Sequence, residues 1–447
     1  MITFQLQQQL EIRDILYTLV QYLLYNFVMK TIEQKLYSKK IKRPNYLIYN
    51  TLGYLWKYTI AKKYKTKVTY IDDPRKEKGS YILISNHASR LDYIFLGLPL
   101  LPHRLNFVVG YNEFFRSHLK GIFSILHEIP KKNFTKDPYP VLEMMRLAKK
   151  GGRLCILPEG MSSISGGSQP IATGGAKLLK MLKIPVYLAH IDGGYLISPK
   201  YNIKDRKGPV EVSFRKLYDV ETLKSKSVEE IEDELNSLIR MDDYAFNKEK
   251  QYIYKSDEIA KNIHQLLYKC PFCQSEFETV SGNDYIECKH CHTVVKMDNK
   301  YNLTCDKELP YKTPKEWYDY QRACVKEEIK SENFSMEEKM EIGFLPEYEY
   351  LKHQKTSNIE GEGILHIDHT GIDFKGKKNR EDYSFHLELK DVPTYGMCTD
   401  ASRFYTFVDG KFVEFYPSRN SVIKWFLVTE ELHRLHGGVW KDYKENR

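Results

Sequence analysis

Three apolar runs in the middle of the chain each predict a buried strand, and helical patterns separate them. The runs are "SYILIS" (80–85), "RLCILPEG" (153–160) and "IPVYLAHIDGG" (184–194). The segments "DPYPVLEMMRLAKKGG" (137–152) and "GGAKLLKMLK" (174–183) have the spacing of helices. Alternating strands and helices predict a layered α/β domain with a mostly parallel or mixed sheet. In such sheets, ligand sites gather at the strand ends.

A histidine and an aspartate directly follow the first of these strands. The stretch "NHASRLD" places His87 and Asp92 five positions apart, so a turn can bring them into hydrogen-bond contact. A carboxylate on one imidazole nitrogen fixes the tautomer and leaves the other nitrogen free to accept a proton. Because no Ser or Cys lies in a recognisable nucleophile elbow, the hydroxyl to be deprotonated would belong to a substrate. A structural histidine is the alternative that this spacing leaves open.

The second strand leads into "LPEGMSS" (157–163). Pro158-Glu159-Gly160 predicts a tight turn with a carboxylate at the strand end, and Gly160 permits close approach to the backbone. Glu159 can accept backbone N–H bonds, or it can hold a polyol acceptor. The sequence leaves both roles open.

Together these motifs resemble those of the glycerophospholipid acyltransferases, the 1-acylglycerol-3-phosphate acyltransferase group with NHx4D and FPEG motifs. Four blocks occur in family order, namely "NHASRLD", "VVGYNEFFRSHLKGIFSILHEIPKKN" (108–133) with Glu113, "LPEGMSS", and "IPVYLAHIDG" with Pro185. Each motif is weak alone, whereas the ordered set is specific. The resemblance covers roughly residues 50–245.

The resemblance implies an O-acyltransferase of phospholipid biosynthesis. His87, oriented by Asp92, would deprotonate the hydroxyl of a lysophospholipid, with 1-acylglycerol-3-phosphate as the expected acceptor. The oxygen would attack the thioester of an acyl-CoA or acyl-carrier protein, without a covalent enzyme intermediate. The implied substrate-binding residues are Glu113, Lys131, Lys132, Glu159 and Gly160, with either lysine in place of the family's closing arginine.

Two departures from the family pattern concern phosphate binding. Tyr111 stands where the family often has a lysine, and Met161-Ser162-Ser163 stands where it commonly has Thr-Arg-Ser. An expected phosphate-binding cation is therefore missing, which leaves the identity of the acceptor open. The candidates for a compensating cation are Arg90, Arg104, Arg116 and Lys177.

The net charge of +9 is concentrated near the N-terminus, because residues 1–67 hold 12 Lys and Arg against three Asp and Glu. Two amphipathic helices are predicted there, one over 12–28 and one over 46–67. Their aromatic residues and clustered lysines favour a membrane surface over two core-facing helices. No apolar run of about 18 residues predicts a span. We expect a peripheral protein on the cytoplasmic face of the cell membrane.

Four cysteines form a CxxC-x14-CxxC pattern, Cys270, Cys273, Cys288 and Cys291. This spacing is typical of a zinc ribbon with a closed, structural site, and a redox disulfide is the alternative. Residues 269–300 hold four Lys against five Asp and Glu, so no basic stripe is present. We therefore expect no nucleic-acid partner.

The C-terminal third alternates strand-like segments, from "GILHID" (363–368) to "KFVEFY" (411–416), and ends in an amphipathic helix at 421–436. This order resembles a PH- or GRAM-like module. The predicted organisation comprises membrane-associating helices (1–67), an α/β acyltransferase domain (68–245), a helical linker (246–268), a zinc ribbon (269–300), a helical and polar linker (301–357) and the mainly β module (358–447).

A non-catalytic membrane adaptor is the alternative function. In that case an acyltransferase-like body and two C-terminal modules would serve binding alone. The intact pair of His87 and Asp92, together with Pro158-Glu159-Gly160, favours the enzyme, since a binding protein needs neither.

Overall fold

A first sheet of seven strands forms between residues 66 and 218 in the computed structural model, which describes residues 30–171, 174–353 and 355–440. Its strands are β1 (Thr66–Tyr70), β2 (Tyr81–Ser85), β3 (Leu105–Gly110), β4 (Ile129–Lys131), β5 (Arg153–Ile156), β6 (Val186–Asp192) and β7 (Val210–Tyr218). Their order is β1-β7-β6-β2-β5-β3-β4. Only β6 and β7 pair antiparallel among these neighbours, so the predicted mostly parallel sheet is confirmed.

β2 lies in the middle of this sheet and is buried along its whole length. It is parallel to both of its neighbours, β5 and β6. The carboxyl ends of parallel strands meet at one edge of a sheet, which brings the loops after β2 and β5 together. This edge carries the two polar motifs.

Helices cover the first sheet and connect its strands. They are Ile32–Ser38, Tyr46–Tyr58, Asp92–Gly97, Ser117–Leu126, Tyr139–Lys149, Gly175–Leu182, Gly194–Ile197, Val220–Ser225, Val228–Leu238 and Asp243–Lys250. Shorter 3-10 turns are Ala61–Tyr64, Pro74–Lys76, Leu98–Leu100 and Tyr111–Phe115. The predicted helix at 12–28 lies outside the described residues. Among the described helices, none has both the length and the apolar character required to cross a membrane.

A small antiparallel sheet carries the four-cysteine segment. Its strands are β8 (Thr279–Ser281), β9 (Tyr285–Cys288), β10 (Val294–Met297) and β11 (Leu303–Thr304). They pair in the order β11-β10-β9-β8. Cys288 ends β9, and Cys291 lies in the connection between β9 and β10.

A third sheet of seven antiparallel strands forms the C-terminal region. Its strands are β12 (Ser335–Phe344), β13 (Asn358–Asp368), β14 (Gly371–Lys378), β15 (Glu381–Leu387), β16 (Gly396–Met397), β17 (Phe404–Val408) and β18 (Lys411–Pro417). Their order is β15-β14-β13-β12-β18-β17-β16. Helices Pro314–Glu328 and Val422–Leu435 pack on each other beside it. The region is mainly β, and its PH- or GRAM-like identity stays a prediction.

The structure differs from the predicted segment boundaries at three places. β1 begins inside the segment predicted as membrane-associating helices, and β12 lies inside the predicted linker 301–357. β12 alternates charged, exposed residues with buried ones, so its sequence is polar although it lies in the middle of the sheet. After helix Asp243–Lys250, the predicted helical linker 246–268 contains only the 3-10 turn Ile263–Gln265.

One continuous hydrophobic core joins the three sheets. Buried side chains run from Leu83 in β2, through Val295 in the small sheet, to Trp425 in the last helix. Tyr301, next to the small sheet, donates its hydroxyl to the Leu196 carbonyl at 2.6 Å. The four-cysteine segment is therefore wedged between the α/β domain and the C-terminal sheet.

Candidate active site

His87 and Asp92 lie in contact just after β2. Nδ1 of His87 is 2.8 Å from Oδ2 of Asp92, which begins helix Asp92–Gly97. Asp92 is 1% exposed. Burial raises its pKa, while the hydrogen bonds from His87 and Ser89 lower it. No hydrogen bond from a described residue reaches Nε2 of His87, and the histidine lines a cavity of about 1090 Å³.

The loop that carries His87 is fixed by buried polar side chains on both sides. Asn86 exchanges two hydrogen bonds of 2.8 Å with the backbone of Ile191 in β6. Glu159 accepts the backbone N–H of His87 on one oxygen and that of Gln169, at 2.9 Å, on the other. The side chains of Asn86 and Glu159 therefore hold the His87 loop against β6 and against the segment that follows β5.

The placement of Glu159 favours one of the two roles that the sequence left open. Its carboxylate is 1% exposed, and both oxygens are engaged by backbone N–H groups. Burial raises its pKa to about 7, although these two hydrogen bonds favour the charged form. Glu159 is not among the residues that line the cavity, so in this geometry it supports the His87 loop, and its predicted contact with substrate stays a prediction.

Gly160 lies on the cavity wall in the left-handed region, at φ +76°. Any other residue would be strained there, and a Cβ would lie 3.4 Å from the Phe134 ring. Its carbonyl accepts a hydrogen bond of 2.8 Å from Asn133. Phe134 and Asn133 therefore lie close to the backbone of Gly160, as expected of a glycine at this turn.

In the second motif block (108–133), some of the predicted substrate-binding residues line the cavity and one does not. Glu113 and Lys131 line the cavity, and Glu113 pairs with Arg116 at 3.0 Å. Burial lowers the pKa of Lys131. Lys132 does not line the cavity, because its ammonium binds Glu33 at 2.8 Å and the Gly410 carbonyl at 2.7 Å. Of the two predicted lysines, Lys131 lines the cavity and Lys132 does not, and the role of either in binding substrate stays a prediction.

The arginines proposed to replace the missing cation are already engaged. Arg104 donates to the Pro44 carbonyl at 2.6 Å, Arg90 pairs with Asp205 at 2.5 Å, and Arg116 pairs with Glu113. Lys177 is exposed and does not line the cavity. The sequence did not point to Lys200, which lines the cavity next to Ser162.

Apolar side chains from several elements line most of the remaining cavity. They include Tyr49, Leu52, Trp56, Phe107, Ile122, Leu126, Met144 and Ile156. Residues of the C-terminal sheet close one side of the same cavity, among them Met397 and Tyr405. These contributions come from segments more than 300 residues apart in the sequence.

The four cysteines of the small sheet form a candidate metal centre. Their sulfur atoms all lie within 4.8 Å of one another, with Cys270 to Cys291 at 3.8 Å and Cys273 to Cys288 at 3.7 Å. A tetrahedral zinc with Zn–S bonds of about 2.3 Å requires sulfur separations of about 3.8 Å. The four thiolates therefore fit a closed tetrahedral site.

His87 thus lies beside a buried carboxylate, at the edge of a mostly parallel sheet, and faces a large cavity. Residues 66–191 match the family model described as Acyltransferase. These residues include His87, Asp92, Glu159 and Gly160. This match agrees with the resemblance of the motifs to the glycerophospholipid acyltransferases and confirms it at the level of the acyltransferase family model.

Comparisons with individual proteins give distant matches. The chain is similar to the 1-acyl-sn-glycerophosphate (LPA) acyltransferase PlsC from Thermotoga maritima, a crystal structure, at 16% sequence identity and a TM-score of 0.37. That similarity covers 46% of this chain and 79% of the other. No curated protein matches the sequence significantly.

Proposed function

We propose that the protein transfers a fatty acyl group from acyl-CoA or acyl-carrier protein to the hydroxyl of a lysophospholipid, with 1-acylglycerol-3-phosphate as the expected acceptor. The observation that carries the proposal is the contact of 2.8 Å between His87 and the buried Asp92 at the wall of the cavity. The acyltransferase family of residues 66–191 supports the same reaction class.

His87 acts as the general base. Asp92 accepts a hydrogen bond from the Nδ1–H of His87, which leaves Nε2 free to take the proton of the acceptor hydroxyl. The acceptor oxygen then forms its bond to the thioester carbonyl carbon, the C–S bond breaks, and the thiol leaves with a proton from the imidazolium. Because Asp92 is shielded from water, the attraction between its carboxylate and the imidazolium is stronger than it would be in bulk solvent.

The cavity supports a lipid substrate. Its volume of about 1090 Å³ and its apolar lining residues suit an acyl chain, while His87, Glu113 and Lys131 supply polar groups near the site of reaction. A site lined mainly by apolar side chains with a few polar groups is typical of pockets for such ligands.

The helix Tyr46–Tyr58 supports a position on the membrane surface. At 100° per residue, Tyr49, Gly53 and Trp56 fall on the face that lines the cavity. Leu47, Tyr54 and Tyr58 fall on the opposite face and are 74%, 40% and 72% exposed. In the proposal this outer face lies in the bilayer interface, on the cytoplasmic side, and lipid reaches His87 past the inner face.

Zinc in the four-cysteine site completes the proposal as a structural cofactor. When bound, it would link the two CxxC pairs and would take no part in the reaction. The helix Pro314–Glu328 contacts the residue before Cys270, since Trp317 donates to the Lys269 carbonyl at 2.7 Å.

The decisive experiment compares two histidine variants in acyl transfer. Purified protein is supplied with radiolabelled acyl-CoA, or acyl-carrier protein, and a panel of lysophospholipids. We expect transfer by the wild type and none by His87→Ala. His190→Ala is the matched control, because His190 also lies beside an aspartate, at 3.3 Å from Asp192, but binds the Arg240 carbonyl instead of facing the cavity. Transfer by neither wild type nor control with any acceptor and donor would favour the membrane adaptor.

A further inference from the structure

The C-terminal sheet contacts the catalytic motifs directly. The backbone N–H of Met397 in β16 points to the sulfur of Met161 at 3.3 Å. Met161 directly follows Gly160 and stands where the family pattern commonly has a threonine. Thr399, Arg403 and Tyr405 line the same cavity as His87. The sheet is therefore one wall of the cavity and not a separate module beyond it.

Lys200 lies where this wall meets the α/β domain. Its ammonium donates to the hydroxyl of Ser162 at 3.1 Å, two residues beyond Gly160. Within the ranges that the structure describes, Lys200 forms no ion pair within 4.0 Å. Burial lowers its pKa to about 8, so most molecules carry a protonated Lys200 at pH 7. This ammonium has no acidic side chain as an ion-pair partner among the described residues.

The two carboxylates that act on the charge of Lys200 are each paired with an arginine. Glu113 binds Arg116 at 3.0 Å, and Asp400 lies 3.6 Å from Arg403. Both acids act on Lys200 at longer range. The cavity therefore contains a cation whose charge is not neutralised by the protein, which is the condition for binding an anion.

We propose that Lys200 binds the phosphate of a substrate in this cavity, and that the loop 397–403 of the C-terminal sheet forms the wall against which that phosphate lies. The inference rests on the proposed function, since it concerns the same cavity. It assigns the role of the missing cation to a residue outside the four motifs. The phosphate can come from the lysophospholipid head group or from the nucleotide part of acyl-CoA.

The test measures binding separately from transfer, in a His87→Ala background that cannot turn over. The probe is lauroylglycerol-3-phosphate, with monolauroylglycerol as its counterpart without phosphate, and Trp56 in the cavity wall gives a fluorescence signal. We expect Lys200→Met to weaken binding of the phosphate-bearing lipid by about 10- to 100-fold and to leave that of monolauroylglycerol unchanged. Lys200→Arg should retain most of the affinity because it keeps the charge.

A second arm uses the donor. Binding of lauroyl-CoA is compared with that of lauroyl-N-acetylcysteamine thioester, which has no phosphate. A loss confined to lauroyl-CoA in Lys200→Met would assign the phosphate to the donor, and a loss confined to the phosphate-bearing lipid would assign it to the acceptor. The matched control is Lys204→Met, because Lys204 is exposed and paired with Asp257 at 2.9 Å.

The wall is tested with Thr399→Trp, which fills the cavity from the C-terminal sheet. We expect it to weaken binding of the phosphate-bearing probe, whereas Ser384→Trp, at an exposed position of β15, should not. Equal affinity of Lys200→Met and its parent for every phosphate-bearing probe, or equal losses with and without phosphate, would overturn the inference. Phosphate-dependent binding that requires Lys200 in a protein without acyl transfer would retain the inference and reject the proposed function.

Discussion

Ser89 donates two hydrogen bonds to a single oxygen of Asp92. Its backbone N–H lies 2.9 Å from Oδ1 and its hydroxyl 3.1 Å from the same atom. This leaves Oδ2 for Nδ1 of His87. The orientation of the carboxylate is thereby fixed before substrate binds, and the two oxygens of Asp92 have different partners.

The first prediction follows from this division. In Asp92→Asn, the amide oxygen should stay with the two donors of Ser89, so the NH₂ group would face Nδ1 of His87. Nδ1 would then accept, and the proton would sit on Nε2, which is the wrong tautomer for a base. We expect kcat to fall by about 10⁴-fold, as for the equivalent change in a catalytic triad, with little change in KM. Steady-state acyl-transfer kinetics measure both constants.

Ser89→Ala is the companion variant. It removes one hydrogen bond to Oδ1 and keeps the backbone N–H, so we expect a loss of at most about 10-fold in kcat. Melting curves of both variants check that the fold is retained. Wild-type kcat in Asp92→Asn would contradict the role assigned to Asp92.

The strand ends and the residues that follow them could be predicted from sequence because their signals are local. An apolar run that ends in "NHASRLD" or "LPEG" places its polar residues at the sheet edge, whatever the rest of the chain does. Lys131 and Lys132 could not be distinguished, since the sequence did not show that β4 ends at Lys131 or to which side each lysine points. Lys200 and the loop 397–403 meet only through packing between distant segments, and such contacts leave no periodic signal.

The second prediction concerns Glu128, a carboxyl in the apolar part of the cavity wall. It is 5% exposed and accepts the backbone N–H of Phe107 at 2.7 Å. Burial raises its pKa well above the usual value. The folded protein therefore retains this proton to a higher pH than the unfolded chain does, so stability falls as pH rises from about 4.5 to the raised pKa, by about 1.4 kcal/mol per pH unit.

Glu128→Gln removes this pH dependence because the amide cannot ionise and still accepts from Phe107. We expect the variant to be more stable than the wild type at pH 8, with a difference that shrinks towards pH 5. Urea denaturation at pH 5, 6.5 and 8 measures it. Glu221→Gln, at a side chain that is 81% exposed, should follow the wild type at each pH. A variant whose advantage does not change with pH would refute the assignment.

The third prediction concerns metal in the four-cysteine site. We expect one zinc per chain by elemental analysis, and loss of zinc in Cys288→Ser with a lower melting temperature. Because this segment is wedged between the other two sheets, zinc loss should also reduce acyl transfer. Cys305→Ser should keep the metal, since Cys305 is not part of the cluster. A metal-free protein that melts at the wild-type temperature would count against a structural role.

The last prediction concerns the outer face of helix Tyr46–Tyr58. Leu47 is 74% exposed and lies in the first turn, where a glutamate is favourable for the helix. Leu47→Glu should therefore fold normally and yet bind vesicles of phosphatidylcholine and phosphatidylglycerol about 10-fold more weakly, because one buried leucine contributes roughly 1.5–3 kcal/mol. Sedimentation with the vesicles measures this. The control is Leu142→Glu in helix Tyr139–Lys149, where Leu142 is 63% exposed. This variant should bind vesicles as the wild type does. If Leu47→Glu bound the vesicles as tightly as Leu142→Glu and the wild type, the membrane contact would lie elsewhere on the protein.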